Sequence, residues 1–69
     1  MNIPEIIQAK NSAADLISPD CINWEALEIQ YTMNGKERTL AVIEREKEGA
    51  NSIFLAHLNL AQTAINKLP

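Results

Sequence analysis

Residues 24–45 read WEALEIQYTMNGKERTLAVIER, and the way this stretch is folded decides the architecture. At its centre stands Asn34-Gly35, two residues that tolerate the positive φ a type I′ turn requires. Before the turn the side chains alternate. Leu27, Ile29, Tyr31 and Met33 fall on one face of an extended chain, and Ala26, Glu28, Gln30 and Thr32 on the other. After it, Glu37 to Glu44 contains the apolar run Leu40-Ala41-Val42-Ile43. The pattern predicts two antiparallel strands. The turn pairs Met33 with Lys36, Tyr31 with Arg38, Ile29 with Leu40 and Leu27 with Val42, which gathers Leu27, Ile29, Leu40 and Val42 into one apolar patch. The second face sets Gln30 opposite Thr39, Glu28 opposite Ala41, Ala26 opposite Ile43 and Trp24 opposite Arg45.

Helical signals flank the hairpin. Residues 4–17 read as a first helix, with Asn2 as cap, Pro4 in the first turn and Glu5 against the positive helix end. Ile6, Ala13 and Ile17 line its apolar face, flanked by Ile7, Ala9, Ala14 and Leu16. Ser18-Pro19-Asp20 ends it, because Pro19 cannot continue the ladder. Glu44 to Gly49 is a solvated charged turn. In residues 52–67, capped by Ser52, the residues Phe54, Leu58, Ala61, Ile65 and Leu68 follow a helical 4-3-4-3 spacing. The fold class predicted is α+β in the order α-β-β-α. The alternative is α-β-β-β-α, with a third strand near residues 53–57. That alternative resembles a double-stranded-RNA-binding domain in order and size. Asn51, Ser52, Asn59 and Gln62 stand where that family's last helix begins basic, so its function is not carried over.

Sixty-nine residues make a single domain, 1–69, with a small core. An apolar fraction of 46% argues for folding rather than disorder. Domains this short usually add disulfides, a metal or a partner chain to their core. Cys21 is the single cysteine and His57 the single histidine, so neither an internal disulfide nor a metal set is predicted, and no cofactor motif is present. Self-association as a homodimer, or unusually good packing, is the remaining support. The wide apolar arc of residues 52–67, about 160°, agrees with it by offering more than one contact face. A net charge of −3 opposes nucleic-acid binding, for which Lys36, Arg38 and Arg45 of the hairpin are the candidate contacts. No apolar run reaches the length of a membrane span and no secretory segment opens the chain, so a cytoplasmic setting and a complete short product are expected.

Candidate chemistry is sparse. His57 would serve as a general base only with a carboxylate behind it, for which Asp20 or Glu28 is available. Cys21 follows Asp20, a poor setting for a nucleophilic thiolate. Glu25 faces Glu44 across the open end of the hairpin, where water screens the pair. No catalytic constellation is predicted. The residues assigned to partner contact are Trp24, Tyr31, Arg38, Arg45 and Leu55: aromatic and arginine anchors, and a leucine outside the last helix's apolar arc. The expected function is a non-enzymatic module that binds another protein as regulator, inhibitor or adaptor, with a nucleic-acid-binding regulator or a small enzyme subunit as alternatives.

Overall fold

The computed structural model describes residues 2–17 and 21–69, and among them there are helices and no strand. The helices are α1 (Pro4–Ala13), α2 (Trp24–Asn34), α3 (Lys36–Lys47) and α4 (Ser52–Asn66). This overturns the α+β expectation in both its forms. The stretch 24–47 is a helical hairpin, and residues 53–57 lie inside α4 rather than in a third strand.

The strand assignment fails at its turn. A type I′ turn needs positive φ at both central residues. Gly35 has φ 87°, but no described non-glycine residue has positive φ, and Asn34 is the last residue of α2. Gly35 ends one helix and opens the next, its N–H donating to the Tyr31 carbonyl at 3.0 Å. Its ψ of 174° adds to the positive φ a conformation that only glycine adopts freely. Helix formation on either side follows from residue type. Ala, Leu, Glu, Gln and Met supply six of the eleven residues of α2, and Lys, Glu and Arg seven of the twelve of α3; all of these are good helix formers.

Each helix carries local signals for its ends. The Asn23 side chain caps α2 by accepting from the Ala26 N–H at 3.1 Å. Asn51, rather than the expected Ser52, caps α4, accepting from the Phe54 N–H at 2.8 Å. Helix α1 starts on Pro4 without a side-chain cap. The expected cap residue, Asn2, instead donates its backbone N–H to Glu28 Oε1 at 3.2 Å. This helix stops at Ala13, short of the expected residue 17, after Asn11 and Ser12, which are weak helix formers. Ile17 is 87% exposed as a result, outside the core it was expected to line. The expected stop at Ser18-Pro19-Asp20 lies outside the described residues. In α3, Glu37 at the start and Arg45 and Lys47 at the end complement the helix dipole.

Helix α4 is the hub, packed against both α1 and α3, while α2 packs on α3 and touches α1 lightly. The core joins Ile6, Trp24, Ile43, Leu58, Ile65 and Leu68 to four alanines, Ala9 and Ala13 of α1 and Ala61 and Ala64 of α4. Those small residues allow the α1 and α4 backbones to approach closely. Thr39, fully buried in α3, satisfies its hydroxyl by donating to the Gly35 carbonyl at 2.8 Å.

The segment after α4 is clamped. Lys36 Nζ donates to the carbonyl of Asn66, the last residue of α4, at 3.0 Å and to that of Leu68, just beyond the helix, at 2.9 Å, placing a cation at the α4 C-terminus. Tyr31 Oη donates to the Pro69 main-chain oxygen at 2.8 Å. Lys36→Met keeps the aliphatic stem and removes both bonds. It is expected to lower stability by about 1–2 kcal/mol in urea denaturation. An unchanged midpoint would show that the clamp holds nothing.

Candidate interaction surface

Helical periodicity turns α2 inside out relative to the alternating pattern. Trp24, Leu27 and Tyr31, spaced three and four apart, face the core, with Trp24 only 8% exposed. Ala26, Ile29 and Met33 repeat the same spacing on the opposite side. Ile29 is 58% and Met33 76% exposed, so two large apolar side chains stand one turn apart in water. The predicted sheltered patch therefore does not exist: Ile29 faces solvent, while Leu27, Leu40 and Val42 are half-buried.

Beside this stripe two clefts run between α2 and α3. One, of about 300 Å³, is lined by Ala26, Gln30, Val42, Glu46 and Phe54 among others. The other, of about 320 Å³, is lined by Gln30, Asn34, Arg38, Ala41, Val42 and Arg45. Gln30 and Val42 belong to both, so the clefts form one groove, with Glu46 lining the first cleft and Arg38 and Arg45 the second. Val42 and Phe54 are half-buried and give the groove an apolar floor.

The predicted contact residues divide. Arg38 and Arg45 are exposed and line the same cleft. Trp24 is a core residue. Tyr31 is half-buried with its hydroxyl engaged by Pro69, so the expected Tyr31–Arg38 pair falls with the hairpin register. Leu55 is 36% exposed near the start of α4, with Ile53 at 41%, away from the α2–α3 groove. The residues that sequence reasoning missed are Ile29 and Met33, which the alternating pattern pointed inward. A helical projection from Trp24 puts both near 160°, and would have found them.

The remaining candidates form no catalytic set. His57 is 3% exposed, and its Nε2 lies 2.8 Å from the Leu16 carbonyl. A carbonyl only accepts, so Nε2 carries a proton and donates, and the buried Nδ1 has no partner among the described residues. Glu28 is engaged by the Asn2 N–H and not by His57, and Asp20 lies outside the described residues. Cys21 is exposed and free; it lines a cleft of about 450 Å³ with His57, yet no hydrogen bond joins them. Glu44 does not face Glu25. It accepts from Lys47 Nζ at 3.1 Å and from Gln62 Nε2, and Lys47 also reaches Gln62 Oε1 at 2.6 Å, which ties α3 to α4. The hydrogen bond from Lys47, then that from Gln62, and then the Lys47 charge hold the Glu44 carboxyl below its usual range. Among the described residues no group of three His, Cys, Asp or Glu side chains is placed to hold a metal ion, and no helix is long and apolar enough to cross a membrane. Of the three basic residues expected to contact nucleic acid, Lys36 donates to the Asn66 and Leu68 carbonyls, and Arg38 and Arg45 are exposed. No protein-family model, curated protein or solved structure matches the chain.

Proposed function

We propose that this chain works by binding a protein through the outer face of α2 and the adjoining α2–α3 groove, without chemistry of its own. The observation that carries this is the exposed pair Ile29 and Met33 on a regular helix, next to a groove with an apolar floor and arginine at its edge. Burying an exposed isoleucine or methionine contributes roughly 1–2 kcal/mol each, and isolated exposure brings no such return. Arginine is enriched at interface anchors and lysine is depleted, in keeping with Arg38 and Arg45 at the rim.

The test is a comparison of two baits in cells that naturally produce the chain. Ile29→Glu/Met33→Glu alters only exposed positions and is expected to keep its circular-dichroism spectrum and melting midpoint. The proteins bound by the wild-type chain, further copies of itself included, are expected to be lost from this variant. Identical sets on both baits would overturn the proposal.

A further inference from the structure

We infer that the partner held on the α2–α3 face is an acidic amphipathic helix of another protein, with two carboxylates two turns apart beside its apolar stripe. This rests on the interaction surface proposed above and names the chemistry of its occupant.

The second cleft is a cationic strip on an acidic chain. Gln30, Asn34, Arg38, Ala41, Val42 and Arg45 line it, with no carboxylate among them, while the chain as a whole carries −3. Arg38 and Arg45 stand seven residues apart on α3, so they share one edge of the helix about 10 Å apart along its axis. Both are exposed, and neither guanidinium makes a hydrogen bond or an ion pair among the described residues. The other two cations of α3 are engaged, Lys36 by the Asn66 and Leu68 carbonyls and Lys47 by Glu44 and Gln62. The neighbouring carboxylates of α3 stand off the strip. Glu37 and Glu44 lie about 100° round the helix from the arginines, on the edge from which Glu44 meets Gln62 of α4. Glu46 lies about 100° round the other way from Arg45 and lines the first cleft. An unpaired guanidinium in a cleft favours a carboxylate, which it binds through two N–H groups at once. Two of them at this spacing match acidic residues seven apart on a helix.

The form of the groove selects a helix. Extended peptides are captured by pairing with a sheet edge, and the described residues contain no strand. A groove between two packed helices instead takes a third, which reads it at every third or fourth residue. Laid along this groove, such a helix sets its carboxylates over Arg38 and Arg45 and its apolar side chains on Val42, Ile29 and Met33. Nucleic acid fits less well, because two cations on this face give few phosphate contacts and the exposed Ile29 and Met33 give none.

The experiment is a selection of phage-displayed helical peptides on the intact chain, with Ile29→Glu/Met33→Glu as the counter-bait. Peptides kept by wild type and lost by the counter-bait are expected to carry Asp or Glu pairs seven residues apart beside an apolar stripe. One such peptide is then measured in solution. Its Kd is expected to rise about tenfold or more on Arg38→Glu/Arg45→Glu, and to recover when lysines replace the two carboxylates of the peptide. Both arginines are exposed and unpaired among the described residues, so this variant is expected to keep the wild-type circular-dichroism spectrum. Selected peptides without acidic pairs, or an affinity indifferent to the charge reversal, overturn the acidic partner and leave the surface standing. A selection that returns no peptide dependent on Ile29 and Met33 overturns both readings. Single-stranded DNA that binds at about 50 mM salt and is released by Arg38→Glu/Arg45→Glu overturns the inference in favour of nucleic acid.

Discussion

Ile65→Ala is expected to lower the stability of this domain by about 3 kcal/mol and its melting midpoint by about 15 °C. Ile65 is fully buried on α4, the helix that packs against both α1 and α3. Truncation removes apolar area and leaves a cavity that the surrounding helices fill only in part. The alanines already lining α1 and α4 have no side-chain length with which to close it. A domain of this length has roughly 4–10 kcal/mol in total, so one such cavity removes a large fraction of it. The control is Leu55→Ala, at a position 36% exposed, where the change is expected to stay within about 0.5 kcal/mol. Thermal melts followed by circular dichroism read both. A shift of only a few degrees for Ile65→Ala would mean that α4 is not the centre of the core.

Gly35→Ala is expected to cost about 2–3 kcal/mol for a different reason. A Cβ added at Gly35 meets nothing within 4 Å, so no clash contributes. The penalty is in the backbone, because φ 87° with ψ 174° lies in a region that side chains disfavour. Neighbouring Asn34 gives the opposite result. It ends α2 with ordinary φ, and alanine is the better helix former, so Asn34→Ala is expected to be neutral or to stabilise by a few tenths of a kcal/mol. A type I′ turn would instead penalise both substitutions, since both positions then require positive φ. Urea midpoints of the two variants separate a helical hairpin from a strand hairpin.

The break at Asn34-Gly35 was legible in the sequence, but not its kind. Two periods coexist in residues 24–33. Leu27, Ile29, Tyr31 and Met33 alternate, and Trp24, Leu27 and Tyr31 recur at helical spacing. Over ten residues both patterns find support, and the agreement of Leu27, Ile29, Leu40 and Val42 in one register was a coincidence of four residues. Residue type argued for helix. Glu25, Ala26, Leu27, Glu28 and Gln30 favour it, and Asn23 stands where a cap belongs. In residues 52–66 the helical seam ran for four turns, which outweighed the competing strand reading of residues 53–57. The early end of α1 was not legible, because Ala14, Leu16 and Ile17 continue the apolar spacing beyond the point where the helix stops.

The surface assignment inherited the error of period. An alternating chain turns Ile29 and Met33 towards the core and leaves Trp24 at its edge; a helix does the reverse. Arg38 and Arg45 come together because seven residues complete two helical turns, a relation the strand register had hidden. The burial of His57 and the bond from its Nε2 to the Leu16 carbonyl depend on packing across 41 residues, which no local pattern reports.

The helical state of residues 24–47 is the claim from which the exposed face and the groove both follow. Nuclear Overhauser spectroscopy on the labelled chain tests it most directly. Contacts from Hα of residue i to the amide of residue i+3 are expected throughout 24–34 and 36–47, with none between Ile29 and Leu40 backbone protons. Strong cross-strand contacts pairing Ile29 with Leu40 and Leu27 with Val42 would contradict it.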